Sequence, residues 1–280
     1  MRILCAGLAT VDIVQRVARL PGPDEKVQSE SVEVAAGGPA ANAAVTAAAL
    51  GAPLGIEVML VSAVGAHPLG DLIRTDLATH GVTLIDAAPT STDPPPVSAV
   101  TVLSGTGERT IVSRNAGNHT VPVPAGGLPD GDLTLVDGHH PALAVAAARA
   151  ARRLLVDAGS WRPVFADIFP HAEVVACSAD FRHPESPPRH PESPLRHLAP
   201  HVIVTHGPDP VHWFSGPRHV EIAVPPVRAV DTAGAGDAFH GALAVSLIRG
   251  EPLDTAIRQA IAVAGVRVAH AGPRSWLHHL

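Results

Sequence analysis

Short runs of Val, Leu and Ile, apolar on both faces, alternate along this chain with Ala-rich segments of helical character. The runs cover residues 2–7, 58–64, 133–137, 154–157, 174–177 and 202–205. A strand that is apolar on both faces needs cover on both, and helices between strands supply it. The pattern therefore points to an α/β fold with a mostly parallel central sheet between helical layers. Two stretches depart from it. Residues 27–36 and 97–114, the latter around Ser104-Gly105-Thr106-Gly107, alternate polar and apolar side chains as half-exposed antiparallel strands do. Ligands of such open sheets gather at the carboxyl ends of the strands, so residues just beyond the runs are the first candidates for a site. At 280 residues the chain suits one α/β domain with a small appendage, or two domains.

Composition removes several classes of function. Hydrophobic residues make up 46% and charged ones 16%, which describes a globular chain and not a disordered one. A formal charge of −6 gives no electrostatic reason for nucleic acid or an anionic membrane as partner. Cys5 and Cys177 lie far apart in apolar runs and read as buried thiols in a reducing cytoplasm. Asp12 ends the apolar N-terminal run too soon for a secretory signal, and no apolar stretch reaches bilayer-spanning length. The 17 histidines, His139-His140 and His278-His279 among them, show no zinc-type spacing.

Chemistry concentrates at Asp231-Thr232-Ala233-Gly234-Ala235-Gly236-Asp237-Ala238-Phe239-His240-Gly241-Ala242-Leu243. Small residues stand between two carboxylates, and a helix is predicted from roughly 235 to 249. Gly234 and Gly236 let successive backbone N–H groups converge on one anion, and the helix N-terminus adds unpaired donors and its positive dipole end. Asp237 at that helix start can take a proton from an attacking hydroxyl. The bland alternative is a tight turn opening a helix, with Asp237 as its cap.

A second cluster lies nearly 200 residues upstream, Ala36-Gly37-Gly38-Pro39-Ala40-Ala41-Asn42, ahead of an Ala-rich helix ending at Gly51. Gly37 and Gly38 permit close approach of a ligand, and Asn42 offers a donor and an acceptor to hydroxyls. The first strand closes on Gly7 and Asp12, and a carboxylate there accepts two hydroxyl hydrogen bonds at once.

These three segments resemble the signatures of the ribokinase-like (PfkB-type) carbohydrate kinases. The resemblance implies a three-layer α/β/α fold with a small β lid, Asp237 as catalytic base, and Gly234, Ala235 and Gly236 as anion hole. It implies Asp12, Gly37, Gly38 and Asn42 on the sugar, with Asn115 at the end of the second lid segment beside them. The whole chain, 1–280, then reads as a kinase domain whose lid comes from about 27–36 and 97–115, with a possible homodimer through that lid. ATP and Mg²⁺ are implied, with Thr205, Gly207 and Gly272 on the nucleotide. The stretch 260–275 resembles the family's adenine-pocket wall, and its carbonyls with Asp231 imply a K⁺ site.

Departures from the family pattern are visible. Ser178-Ala179-Asp180-Phe181 stands where the family has Asn-x-x-Glu for magnesium and phosphate, which leaves Asp180 or water as ligands. Pro210 stands where a second nucleotide-loop glycine is usual and lacks the N–H a phosphate contact uses. The segment 182–195 is a seven-residue, proline-rich unit in two near-identical copies, read as a solvated loop insertion. The expected activity is ATP-dependent phosphorylation of a sugar hydroxyl in the cytoplasm. A nucleoside kinase of the same fold is the runner-up, disfavoured by a chain with no Tyr, five Phe and three Trp. A sugar- or nucleotide-binding regulator without catalysis is the reading from another class.

Overall fold

The computed structural model describes residues 1–117, 120–185 and 195–280. β1 (Arg2–Ala6) lies inside a large sheet, and the chain then leaves it for β2 (Thr10–Val17) and β3 (Ser31–Gly37). α1 (Pro39–Gly51) returns it to β4 (Glu57–Ser62), and α2 (Pro68–Thr79) leads on to β5 (Val82–Asp86). β6 (Val97–Leu103) and β7 (Arg109–Ser113) again stand outside the large sheet. The second half runs through β8 (Leu133–Val136), α3 (Pro141–Ala150), β9 (Leu154–Ala158), α4 (Phe165–Ile168), β10 (Val174–Ser178) and β11 (His201–His206). A hairpin of β12 (Asp209–Ser215) and β13 (Arg218–Ile222) precedes α5 (Ala235–Ile248) and α6 (Leu253–Ala269).

The large sheet has the order β13-β12-β11-β10-β9-β8-β1-β4-β5. It is parallel from β11 to β5 and antiparallel only in the edge hairpin. Side chains alternate between two cores. Ile3, Cys5, Leu135 and Leu155 pack with α1, α2, α5 and α6, while Leu4, Ala6, Val136 and Val156 pack with α3 and α4. All six apolar runs are strands of this sheet, and the α/β/α layering is as expected. Cys5 and Cys177 are both buried. No helix among the described residues is long and apolar enough to cross a membrane.

β1 has β4 on one side and β8 on the other, so the connections leave it in opposite directions. That switch point opens a crevice at the carboxyl ends of the strands. Above it lies a four-stranded sheet, β3-β2-β6-β7.

Two features go beyond the sequence reading. The run 2–7 forms β1, which stops at Ala6, and a separate strand carrying Asp12 starts at Thr10. The break has a cause, because Leu8 donates its N–H to the Asp137 carboxylate at 2.8 Å and Ala9 donates to the Ser62 hydroxyl at 3.1 Å. Both amides are thereby drawn out of the ladder. The hairpin β12–β13 is the second, since its polar and histidine-rich sequence hides the alternation. Of the proline-rich repeat at 182–195, residues 186–194 lie outside the described residues.

α1 and α5 pack backbone to backbone. A β-carbon at Gly241 would lie 2.4 Å from the Ala43 carbonyl oxygen and 2.7 Å from the Thr46 β-carbon. Alanine is the better helix former by about 1 kcal/mol, but overpacking a tight contact costs about 1–3 kcal/mol, so Gly241→Ala is expected to be destabilising on balance. Urea unfolding checks this: the midpoint should fall with an unchanged slope, and a midpoint equal to or above the parent's would refute the close contact.

Candidate active site

The site is built on exits from parallel strands. Asp137, the residue after β8, is buried at 3% exposure and accepts backbone N–H groups from Leu8, Ala40 and His139 at 2.8, 3.3 and 2.9 Å. One carboxylate thus joins the end of β1, the start of α1 and the end of β8. α1 begins at Pro39 and presents Asn42 from its first turn. α5 begins after Gly234, whose φ of 69° is a left-handed conformation that glycine adopts without strain, and its N-cap has no side-chain bond. The amides of Ala235 and Gly236 at its start are therefore not taken by an N-cap side chain.

Asn42 donates its Nδ2–H to Asp237 Oδ2 at 2.8 Å, across 195 residues of sequence. Its Oδ1 accepts from Arg274 Nη1 at 3.1 Å, which fixes the orientation of the amide. Arg274 is held in turn by Asp76 at 2.8 Å and by the Ala36 carbonyl at 2.7 Å. Asp237 is thus a partner of Asn42 across the helix pair.

Facing these groups is a cavity of about 290 Å³. Asp12, Gly38, Asn42, Gly234, Gly236 and Asp237 all line it. Asp12 projects from β2, accepting the Thr10 hydroxyl at 2.6 Å, and Gly37 lies two pairing positions away on β3. Asn115, in the turn after β7, also lines the cavity and donates its N–H to the Ser113 hydroxyl at 3.0 Å.

The nucleotide-side expectations do not converge on this cavity. Thr205 donates its hydroxyl to the Cys177 carbonyl at 3.3 Å, and Gly207 sits in the turn between β11 and β12; neither lines the pocket. Gly272 donates its N–H to Asp231 Oδ2 at 3.2 Å. Pro273 and Arg274, read as part of an adenine wall, line the cavity beside Asn42 instead.

Asp231 is fully buried and is the point where expectation and structure part. Its carboxylate meets the Arg267 guanidinium at 3.3 Å and Arg16 at 3.7 Å, and accepts the N–H of Ala233 at 3.0 Å. Arg267 also reaches the Asp231 carbonyl at 3.5 Å and the His270 carbonyl at 3.1 Å. The K⁺ expected among these oxygens does not fit, because a guanidinium already takes their lone pairs.

Burial governs the ionisation of the site. Desolvation, with the nearby Asp157, pushes Asp237 up to about 6, against the hydrogen bond from Asn42 and the charges of His240 and Arg109. Asp157, buried at the end of β9, is pushed up to about 8 by desolvation and by Asp137. His240 lies 3.3 Å from Asp157 and is held below the usual histidine range by burial. Asp12 is raised by desolvation, opposed by bonds from Thr10 and Ser98 and by Arg274.

Asp137 and Asp157 escaped the sequence reading as site residues, whereas Arg267 and Arg274 fell within the stretch 260–275 read as an adenine-pocket wall and stand elsewhere in the site. Asp137 and Asp157 each follow or end an apolar run, the same signal that pointed to Asp12. Sequence spacing also missed a histidine cluster: His212, His219 and Glu221 on β12 and β13 bring ligand atoms within 4.8 Å of one another, outside the cavity.

The profile of the family described as pfkB family carbohydrate kinase matches residues 1–181 and 189–279. The ribokinase of Bacillus subtilis (strain 168) is 27% identical over 282 residues, covering 97% of this chain and 94% of its own. Among solved structures, Arabidopsis thaliana ribokinase complexed with ribose and ATP superposes with a TM-score of 0.74 at 20% identity, covering 99% of this chain and 97% of that one. The nucleoside kinase of Methanocaldococcus jannaschii does so with 0.77 at 17%, covering 100% and 98%. The fold is therefore shared with both of these kinases. With its matched profile spanning nearly the full sequence, the chain belongs to the pfkB family of carbohydrate kinases, phosphotransferases that act on an alcohol group.

Proposed function

We propose that this chain transfers the γ-phosphoryl group of ATP to a hydroxyl of a sugar or sugar-like molecule bound between the small sheet and the first turns of α1 and α5. The observation that carries the reading is the 2.8 Å bond between Asn42 and Asp237 in a cavity that Asp12 also lines. Asp237 deprotonates the acceptor hydroxyl. The amides of Gly234, Ala235 and Gly236 meet negative charge on the transferring group, and Asp12, Gly38 and Asn42 hold the acceptor. Phosphoryl transfer asks chiefly for positioning and electrostatics, which these groups supply.

The residues suit ATP at one end: the N-terminus of α5 has no side-chain cap, and Gly234 and Gly236 beside it line the cavity. Mg²⁺ accompanies the nucleotide and offsets phosphate charge. Asp180, exposed just beyond β10, is the carboxylate available in place of the family's Asn-x-x-Glu. Thr205 and Gly207, at the carboxyl edge of β11, are proposed to face the nucleotide from outside the sugar cavity.

A cavity of about 290 Å³ is at the small end of ligand pockets, which span roughly 300–1,000 Å³, and favours a single sugar ring over a nucleoside. The ribokinase relatives and the ribose in the Arabidopsis enzyme point to a pentose. A cytoplasmic enzyme is in keeping with two cysteines, Cys5 and Cys177, that are buried in separate strands of the large sheet. Val34, Ile13, Ala99 and Val112 form one row across the small sheet, with Val34 and Val112 exposed at 50% and 73%. A second copy covering that row is the proposed dimer.

Asp237→Asn should lower kcat by roughly 10²–10⁴ while ATP and sugar still bind, read as magnesium-dependent ADP release beside calorimetric titration. Near-parental turnover would remove the base. Because the active form is the carboxylate and its value lies near 6, kcat/KM should fall as pH drops through about 6 and level off above 7. The Asn42 bond lowers that value, so Asn42→Ala should move the acid limb to higher pH; an unmoved limb argues against Asp237 as its source. Asp12→Asn, which removes a charge-assisted acceptor, should raise KM for the sugar about 10- to 100-fold and leave KM for ATP unchanged. For the dimer, Val112→Glu should halve the mass seen by light scattering, and a monomeric parent protein would dismiss it.

A further inference from the structure

Arg267 projects from the last turn of α6 into the oxygens that surround Asp231, and only 4% of its side chain is exposed. Those oxygens come from two segments of chain: the carboxylate and carbonyl of Asp231, and the carbonyl of His270. Such a set, one carboxylate with inward-facing carbonyls, suits a hard monovalent cation. Here it surrounds a guanidinium, which is always charged and presents several N–H donors in a fixed plane. A β-carbon placed on Gly234 would lie 3.7 Å from Arg267 Nε and 3.7 Å from Asp237 Oδ2, and Arg267 lines the same cavity, so the charge sits beside the loop of the anion hole. Arg16, 3.7 Å from the same carboxylate, adds a second positive group. A free cation entering this cluster would face two guanidiniums in a poorly solvated place.

We infer that Arg267 is a built-in cation: its guanidinium occupies the position of a monovalent ion, holds the 231–234 loop in shape and supplies positive charge beside the anion hole, making the enzyme independent of K⁺. Arg267 is a positioning residue, since it acts on the Gly234 loop through Asp231 and His270. The inference rests on the kinase reading above for its catalytic half only. Its structural half concerns ion binding and stands apart from turnover.

The test compares potassium, sodium and choline chloride at equal ionic strength, reading both ADP release and Tm. The parent protein should give the same kcat and the same Tm in all three. Arg267→Met, close in volume but uncharged, leaves the Asp231 and His270 oxygens facing an empty position. It should lose at least about tenfold in kcat in choline, recover much of it in potassium, and melt higher in potassium than in choline. Arg267→Lys should remain independent of potassium. Ion-selective rescue is the signature that a merely structural arginine does not produce. A parent enzyme activated severalfold by potassium, a folded Arg267→Met variant with parental rate in choline, or one that potassium fails to restore would each overturn the inference. If Arg267→Met does not fold, the parent and Arg267→Lys still decide, since potassium activation of either contradicts a resident positive charge. If no sugar or nucleoside elicits ADP release, the kinase reading falls, while a rise in parental Tm specific to potassium would separately reject the built-in cation and its absence would support it.

Discussion

The close contact of α1 with α5, made where Gly241 has no side chain, is the constraint on which the site depends. It brings two helix N-termini to one place at the switch point of the sheet. Asn42 from one first turn then reaches Asp237 in the other. Two competing effects act on that carboxylate. The helix terminus and the Asn42 bond favour the ionised form, whereas burial beside Asp157 favours the neutral one. Burial prevails, but only to about 6, so at neutral pH the group is mostly ionised and still basic enough to take a proton. A carboxylate left in water would be a poorer base.

Arginine is the second theme of the site. Arg274 joins α1, α2 and β3 through Asn42, Asp76 and the Ala36 carbonyl. Arg109 on β7 donates to the Thr232 carbonyl, and Arg16 on β2 donates to the Val230 carbonyl. The small sheet is thereby fastened to the loop that precedes α5. Each guanidinium bridges segments far apart in sequence, and its charge is matched locally by an acid or by carbonyl dipoles. The effect is preorganisation: the polar groups that line the cavity are already oriented.

Much of the fold was legible because its signals are local. A fully buried parallel strand must be apolar on both faces, so runs such as 133–137 and 174–177 announce themselves. The glycines before α1 and α5 are legible for a similar reason, since a chain that turns sharply into a helix N-terminus needs them. What failed to show in sequence involved partners at a distance. Strand β1 ends at Ala6 because Asp137, 129 residues away, captures the Leu8 amide. The hairpin of β12 and β13 was hidden by polar side chains that only a sheet edge tolerates.

By itself the sequence determined the layered architecture and the glycine-rich turn that opens α5, because periodicity and glycine placement express backbone geometry directly. Tertiary structure alone decided that Asn42 binds Asp237, that Arg274 lines the cavity beside Asn42, and that Arg267 stands among the Asp231 oxygens. An arginine at the end of a helix is ordinarily a surface residue. Its role here arises because α6 packs its last turn against the 231–234 loop, and that burial makes its charge count.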